Sequence, residues 1–148
     1  MTKDELLLLK EELTKMNLAG DMLNRSFQKC EVFGVKKAYS NEELDQIEAF
    51  TSRFARVSDL LIQRIFRLVD ELDLDSEGTV RDRINRAEKK GLIEQSDTFV
   101  EIRKLRNAIA HEYQPDAPEK IFADVRVCTP SLLDSIKRTN QYVVKYTH

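Results

Sequence analysis

The apolar residues of this chain recur at steps of three or four, the spacing that places them on one face of an α-helix. From Lys3 to Leu18 the stripe consists of Leu6, Leu9, Leu13 and Met16. We expect this helix to stop near Gly20, because glycine weakens a helix interior. A second segment, from Asp21 to Phe33, carries apolar residues at helical spacing before Gly34. Either a short helix or a loop fits that segment.

The longest apolar series follows Ser40. Glu43 stands three residues after this serine, the spacing of a capping box at a helix start. The series behind it consists of Leu44, Ile47, Phe54, Val57, Leu61, Ile65, Leu68 and Leu72. The pattern therefore predicts one long helix with a continuous buried stripe.

A polar turn rich in acids ends the long helix. It contains Asp73 and Asp75, but it lacks the spacing of a calcium-binding loop, so we interpret it as a solvated turn. Thr79 and Asp82 then form a second capping box, which predicts a helix that ends at Gly91.

The next helix is predicted from Thr98 to about His111, with either Ser96 or Asp97 as its cap. Its buried stripe should consist of Ile102, Leu105 and Ile109. At about 100° per residue, a different face carries Arg103, Arg106, Asn107 and Ala110. The polar residues should therefore point outward together.

Two prolines divide the last part of the chain. Pro118 suits a first helical position. Pro130 lacks the amide proton of a helix interior, so we expect it to kink or split the helix, with Thr129 capping a new start. The whole pattern predicts an all-α fold, an up-and-down bundle of about four to six helices.

Composition agrees with a helical domain. The 148 residues, 41% hydrophobic and 34% charged with only 4 Gly and 3 Pro, suit one domain over residues 1–148. There is no apolar run of the roughly 18 residues that span a membrane, and the first residues include acids, so we expect no membrane association and a cytoplasmic location. Cys30 and Cys128 have no CxxC spacing and are expected to be buried free thiols.

The formal net charge of −2 gives no general attraction to nucleic acid, so any RNA contact needs a local basic patch. One candidate lies between Thr79 and His111, where eight basic residues stand against five acids. The basic residues are Arg81, Arg83, Arg86, Lys89, Lys90, Arg103, Lys104 and Arg106. A solvated helical face is the alternative interpretation.

The run from Arg106 to Tyr113 carries the chemistry. Arg106, Asn107, His111 and Tyr113 spell R-N-x-x-x-H-x-Y, which resembles the signature of HEPN proteins, specifically the HepT-like toxins of two-component bacterial systems. The resemblance implies a helical bundle and a metal-independent endoribonuclease that needs no cofactor and acts on RNA. It also implies a cognate nucleotidyltransferase antitoxin that neutralises the toxin by attaching AMP to Tyr113.

The resemblance also implies roles for individual residues. His111 would transfer protons, Arg106 would grip phosphate oxygens, and Asn107 would orient His111 or donate to phosphate. Besides Arg103 on the motif helix, the RNA-binding or cleft-lining candidates are Arg53, Arg56 and Asp59 on the long helix.

Acid and base cannot both be histidines of one protomer, because His111 is the only histidine besides His148 at the end of the chain. A homodimer that brings two motifs face to face would supply both, and the small Ala108 and Ala110 fit either a dimer seam or an open pocket. The alternative function is a catalytically silent HEPN subunit that partners a nucleotidyltransferase. Purely structural roles also exist for the same residues, such as a salt bridge for Arg106 and a helix-end contact for His111.

Overall fold

The structure is a computed structural model that describes residues 1–111 and 117–147. Within those residues the chain forms α1 (Lys3–Phe33), α2 (Asn41–Asp59), α3 (Phe66–Leu72), α4 (Val80–Lys90), α5 (Ser96–His111) and α6 (Ala117–Tyr142). A π-helical segment, Leu60–Ile65, joins α2 to α3, and a short 3₁₀-helix, Val143–Tyr146, follows α6. The all-α prediction is confirmed.

Contacts between helices show the direction of each one. In every antiparallel pair, residues early in one helix meet residues late in the other. Between α1 and α2 with its extension, Glu12 contacts Arg64 and Ser26 contacts Arg53. Between α2 with its extension and α5, Asp59 contacts Arg106 and Phe66 contacts Phe99. Between α1 and α6, Asn17 contacts Asn140 and Glu31 contacts Arg126. Thus α2 and its extension run antiparallel to α1 and α5, and α6 runs antiparallel to α1. The predicted up-and-down bundle is confirmed, with α4 packed against α3 and α5.

One cluster of buried apolar side chains occupies the centre of the bundle and draws on all six helices. Its largest members are five phenylalanines that are almost completely buried, Phe50, Phe54, Phe66, Phe99 and Phe122. Phe122 of α6 packs edge-to-face on Phe50 of α2, with ring centroids 6.0 Å apart. Burial of apolar side chains, these rings among them, is the main favourable contribution to the stability of such a bundle.

Local signals in the sequence set several helix ends. Ser40 accepts a hydrogen bond from the Glu43 amide at 3.1 Å, and Glu43 accepts one from the Ser40 amide at 2.8 Å. The same reciprocal pair forms between Thr79 and Asp82 at the start of α4. At the end of α4, Gly91 adopts the left-handed conformation with φ 79°. Both predicted capping boxes and the glycine stop are confirmed.

The predicted break at Gly20 is wrong, because α1 continues through it to Phe33. Gly20 is buried where α1 crosses α6, and an added Cβ would lie 2.6 Å from Cδ1 of Ile136. The residue therefore permits a close helix approach. Contact with α6 outweighs the cost of about 1 kcal/mol that glycine carries in a helix interior.

The predicted division at Pro130 is also wrong, since α6 runs through this proline as one helix. Thr129 does not cap a new start. Its hydroxyl donates a 2.7 Å hydrogen bond to the Val125 carbonyl one turn earlier. The Thr129 side chain thus bonds to the backbone of its own helix, next to Pro130, which supplies no amide proton.

Two smaller predictions need correction. α5 begins at Ser96, whose amide donates to the Glu88 carboxylate at 2.8 Å, so Ser96 and Asp97 lie inside the first turn. The turn after α3 is exposed from Leu74 to Thr79, as predicted, but Asp73 at its start is partly buried and accepts hydrogen bonds from Tyr142 and Tyr146.

Both cysteines are free thiols; Cys30 is buried, as predicted, and Cys128 is half-buried. Burial raises the pKa of the Cys30 thiol to about 11. None of the helices in the described part of the chain combines the length and apolar character needed to cross a membrane.

Candidate functional site

The outer face of α5 is arranged as the helical wheel predicts. Ile102 and Leu105 are buried and Ile109 is partly buried, whereas Arg103, Asn107, Ala110 and His111 are exposed. Arg103, Asn107 and His111 follow one another at steps of four, so they form a row along one side of the helix. The row ends at His111, the last residue of α5.

Arg106 lies beside this row and forms a two-point ion pair with Asp59 at the end of α2. Its Nε donates to Oδ1 at 2.6 Å, and its Nη2 donates to Oδ2 at 3.0 Å. The hydrogen bond to Asp59 raises the pKa of Arg106 above its ordinary value. The side chains remain 32% and 40% exposed, so the pair is open to solvent. Its planar geometry fixes the direction of the guanidinium.

A cavity of about 310 Å³ opens over this ion pair, between α5 and the junction of α2 with the π-helical segment. Its lining consists of Ser58, Asp59, Ile62, Gln63, Arg64, Arg103, Arg106 and Asn107. Three arginines and two amides can donate hydrogen bonds into it, and one carboxylate faces them. We call this space the motif cavity.

A second cavity, of about 420 Å³, lies on the other side of Asp59 and is lined by Lys15, Arg56, Asp59, Leu60 and Arg64. We call it the α1 cavity, because Lys15 brings α1 into its wall. Asp59 and Arg64 line both cavities. Asp59 thus lines the motif cavity itself, whereas Arg56 lines only the neighbouring α1 cavity.

Arg53 lies elsewhere. Its Nη1 donates to the Ser26 hydroxyl at 2.7 Å and to the Met22 carbonyl at 3.3 Å, so its guanidinium joins α2 to α1. The sequence indicated its helix correctly but not the neighbour that it contacts. Tyr113 falls outside the described residues.

The basic patch is smaller than the sequence suggested. Arg86 and Lys90 point inward to the buried carboxylate of Asp70, at 2.9 and 2.7 Å. Arg83 donates to the Ile62 carbonyl of the π-helical segment at 3.1 Å. These three residues hold α4 against the extension of α2, while Arg103 and Arg106 face the motif cavity.

The π-helical segment and Arg64 were missed by the sequence analysis. A π-helix places residue i+5 over residue i, whereas an α-helix would turn it by about 140°. Arg64 stands five positions after Asp59, and the two line the same cavities. One signal was present, because Leu60, Leu61 and Ile62 are three consecutive apolar residues, all buried. Three consecutive buried residues cover a wider arc of the helix surface than the stripe of an amphipathic α-helix.

No cluster of three or more potential metal ligands occurs among the residues that the structure describes. The fold and the cavity together define an all-helical bundle with a cationic cleft between α2 and α5.

Comparisons with protein-family models, with curated proteins and with solved structures found no match.

Proposed function

We propose that this protein is a HEPN-type toxin, a metal-independent endoribonuclease that works as a homodimer. The observation that supports this most is the position of Arg106. It is held by Asp59 at the motif cavity, beside the exposed row of Arg103, Asn107 and His111. The signature residues that the structure describes, Arg106, Asn107 and His111, are thus accessible to a substrate and are not part of the core.

The proposed reaction is attack of a ribose 2′-oxygen on the neighbouring phosphorus. The 2′-O–P bond forms and the P–O5′ bond breaks, which leaves a cyclic phosphate. One group removes the 2′-OH proton and another protonates the leaving 5′-oxygen. His111 serves as one of these groups. Arg106 and Arg103 supply positive charge where the pentacoordinate phosphate gains negative charge.

The second proton-transfer group would come from a partner protomer. The motif face of α5 is exposed and includes the small side chains Ala108 and Ala110, so another α5 helix could approach it closely. Two copies of His111 related by a twofold axis would then face one phosphate. The active site of this proposal is therefore shared between two chains.

The proposed antitoxin is a nucleotidyltransferase that attaches AMP to Tyr113, two residues after His111. The modification adds a phosphate, with its negative charge and its bulk, near Arg106 and His111. It would compete for the same cations that the RNA phosphate needs, and this competition explains how AMP would neutralise the toxin.

The first test compares wild type with Arg106→Ala and His111→Ala for growth arrest and for cleavage of total RNA. We expect each variant to lose at least about a hundredfold in cleavage rate, the usual size of a lost proton-transfer or charge-stabilising group. Lys104→Ala is the matched control. Lys104 is an exposed cation on the same helix that pairs with Glu101 at 3.8 Å and lines neither cavity, so its loss should leave cleavage unchanged. Circular dichroism checks that all three variants fold.

One observation favours the alternative, a catalytically silent HEPN subunit that binds a nucleotidyltransferase. Two guanidinium nitrogens of Arg106 are already occupied by Asp59, as in a purely structural ion pair. This alternative predicts that wild type and both variants are equally inert toward RNA, while the wild type still binds its partner. A wild type that sediments as a monomer yet cuts RNA would overturn the shared active site.

A further inference from the structure

We infer that the α1 cavity is a second phosphate subsite, in which Arg64, Arg56 and Lys15 bind the phosphate next to the one in the motif cavity. The inference rests on the proposed function and extends it: the substrate would be a single RNA strand that crosses from one cavity to the other. Arg64 would contact the strand at the crossing point, because it lines both spaces.

The charge of the two cavities supports a polyanion. The cations that line them are Lys15, Arg56, Arg64, Arg103 and Arg106. Two carboxylates stand against these five cations: that of Asp59 in the lining, and that of Glu12, which contacts Lys15 and Arg64. Among the described residues, Asp59 forms an ion pair with Arg106 only, so it does not neutralise the cations of the α1 cavity. The Arg56 side chain is exposed and has no hydrogen-bond or ion-pair partner in the described part of the chain. On a chain of net charge −2, this local excess attracts phosphate where the whole molecule does not.

A buried carboxylate lies below the α1 cavity. Glu12 has a side chain only 7% exposed, and its Oε1 contacts Lys15 Nζ at 3.4 Å and Arg64 Nη1 at 3.5 Å. Its Oε2 has no hydrogen-bond partner in the described part of the chain. Both contacts are long, and Arg64 is 59% exposed, so Glu12 keeps the two cations near the cavity without occupying all their donors.

The π-helical segment gives Arg64 its position. In an ordinary α-helix, a residue five places after Asp59 would face about 140° away from it. The wider turn of the π-helix carries Arg64 back to the side of Asp59 and hence to the boundary of the two cavities. Arg83 bonds to the Ile62 carbonyl and so ties this segment to α4.

Adjacent cationic subsites suit a strand better than a single small anion. Single-stranded RNA carries one negative charge per nucleotide, and each phosphate that a protein neutralises releases bound counterions. The number of phosphates bound therefore appears in the salt dependence of affinity, with a slope of about 0.7 per phosphate for single strands. The slope of affinity against salt concentration therefore distinguishes the loss of a phosphate subsite from a general loss of positive charge.

The test measures binding of a fluorescent ten-nucleotide oligouridylate, 2′-O-methylated to prevent cleavage, by fluorescence anisotropy at several salt concentrations. For Arg64→Gln we expect affinity to fall about tenfold and the salt slope to fall by about 0.7. Arg67→Gln is the matched control. Arg67 is an exposed arginine one turn further along that pairs with Glu71 at 3.2 Å and lines neither cavity, so its loss should change neither quantity.

Arg56→Gln checks that the effect does not come from misfolding, because the Arg56 side chain has no partner among the described residues that its removal would disturb. It should weaken binding and lower the slope in the same direction. If Arg64→Gln and Arg56→Gln both bind like wild type while Arg106→Ala loses affinity, the second subsite is wrong and the proposed function stands. If the wild type neither binds the oligonucleotide nor cuts RNA, both proposals fail. If binding of the oligonucleotide depends on Arg64 but the wild type cuts no RNA, the second subsite is supported and the proposed catalysis is wrong.

Discussion

Two aspartates show that burial distinguishes an ion pair that holds helices together from one that solvent and a ligand can reach. Asp70 is 2% exposed and bound by Arg86 and Lys90, whereas Asp59 is 40% exposed and bound by Arg106. The sequence indicated that Arg106 faces outward, because helical periodicity is local. It could not indicate Asp59 as the partner, since the two residues lie 47 positions apart and meet only after the helices pack.

We predict that Asp70→Ala destabilises the protein by about 3 to 5 kcal/mol, because it leaves the largely buried Arg86 without its carboxylate and Lys90 with Asp73 alone among its described partners. Asp134→Ala is the control. Asp134 pairs with Arg138 at 2.7 Å but is 44% exposed, and its loss should cost less than about 1 kcal/mol. Urea unfolding midpoints measure both. Equal losses in the two variants would show that the buried ion pairs do not hold α4 in place.

Helices whose limits are set by nearby residues were predictable, and those set by packing were not. The capping boxes of α2 and α4 are complete within four residues, so the sequence contains the whole cause. The continuity of α1 through Gly20 depends on Ile136, which is 116 positions away. The π-helical segment likewise packs against α1 and α4, which lie far from it in the sequence.

The crossing of α1 and α6 can be tested with a double-mutant cycle. Gly20→Ala alone should lower the free energy of unfolding by about 1 kcal/mol, because the new methyl group meets Cδ1 of Ile136. In an Ile136→Val background that atom is absent, and Gly20→Ala should instead raise stability by about 1 kcal/mol through helix propensity. Thermal and urea unfolding of the four proteins give the coupling energy. Additive effects would mean that the two helices do not meet at Gly20.

At the scale of the whole molecule, Asp73 joins three distant parts of the chain. It follows α3, pairs with Lys90 of α4 at 3.1 Å, and accepts a 2.6 Å hydrogen bond from Tyr142 at the end of α6. Tyr146 donates to its other oxygen. Burial alone would raise the pKa of Asp73, but the bonds from both tyrosines and Lys90 lower it to about 2.

This lowered pKa predicts a specific acid sensitivity. Ionised Asp73 should contribute about 2 kcal/mol to folding at neutral pH, a contribution that is lost as the pH falls from about 4 to about 2. Asp73→Asn should therefore be less stable than wild type at pH 7, and the difference should vanish near pH 2. Asp75→Asn, in the same turn but exposed, should follow the wild-type pH profile. A difference in the free energy of unfolding between wild type and Asp73→Asn that stays constant over this pH range would contradict the prediction.

If the proposed reaction takes place in the motif cavity, the ion pair between Arg106 and Asp59 has a kinetic consequence. A phosphate that enters the motif cavity meets an arginine whose Nε and Nη2 already bind an anion of the protein itself. Binding is then an exchange of one anion for another, with Asp59 as a resident competitor. Such a site loses affinity, but it gains a group that returns to the guanidinium when the product leaves. A bundle of this kind would thus favour rapid turnover over tight retention of cut RNA.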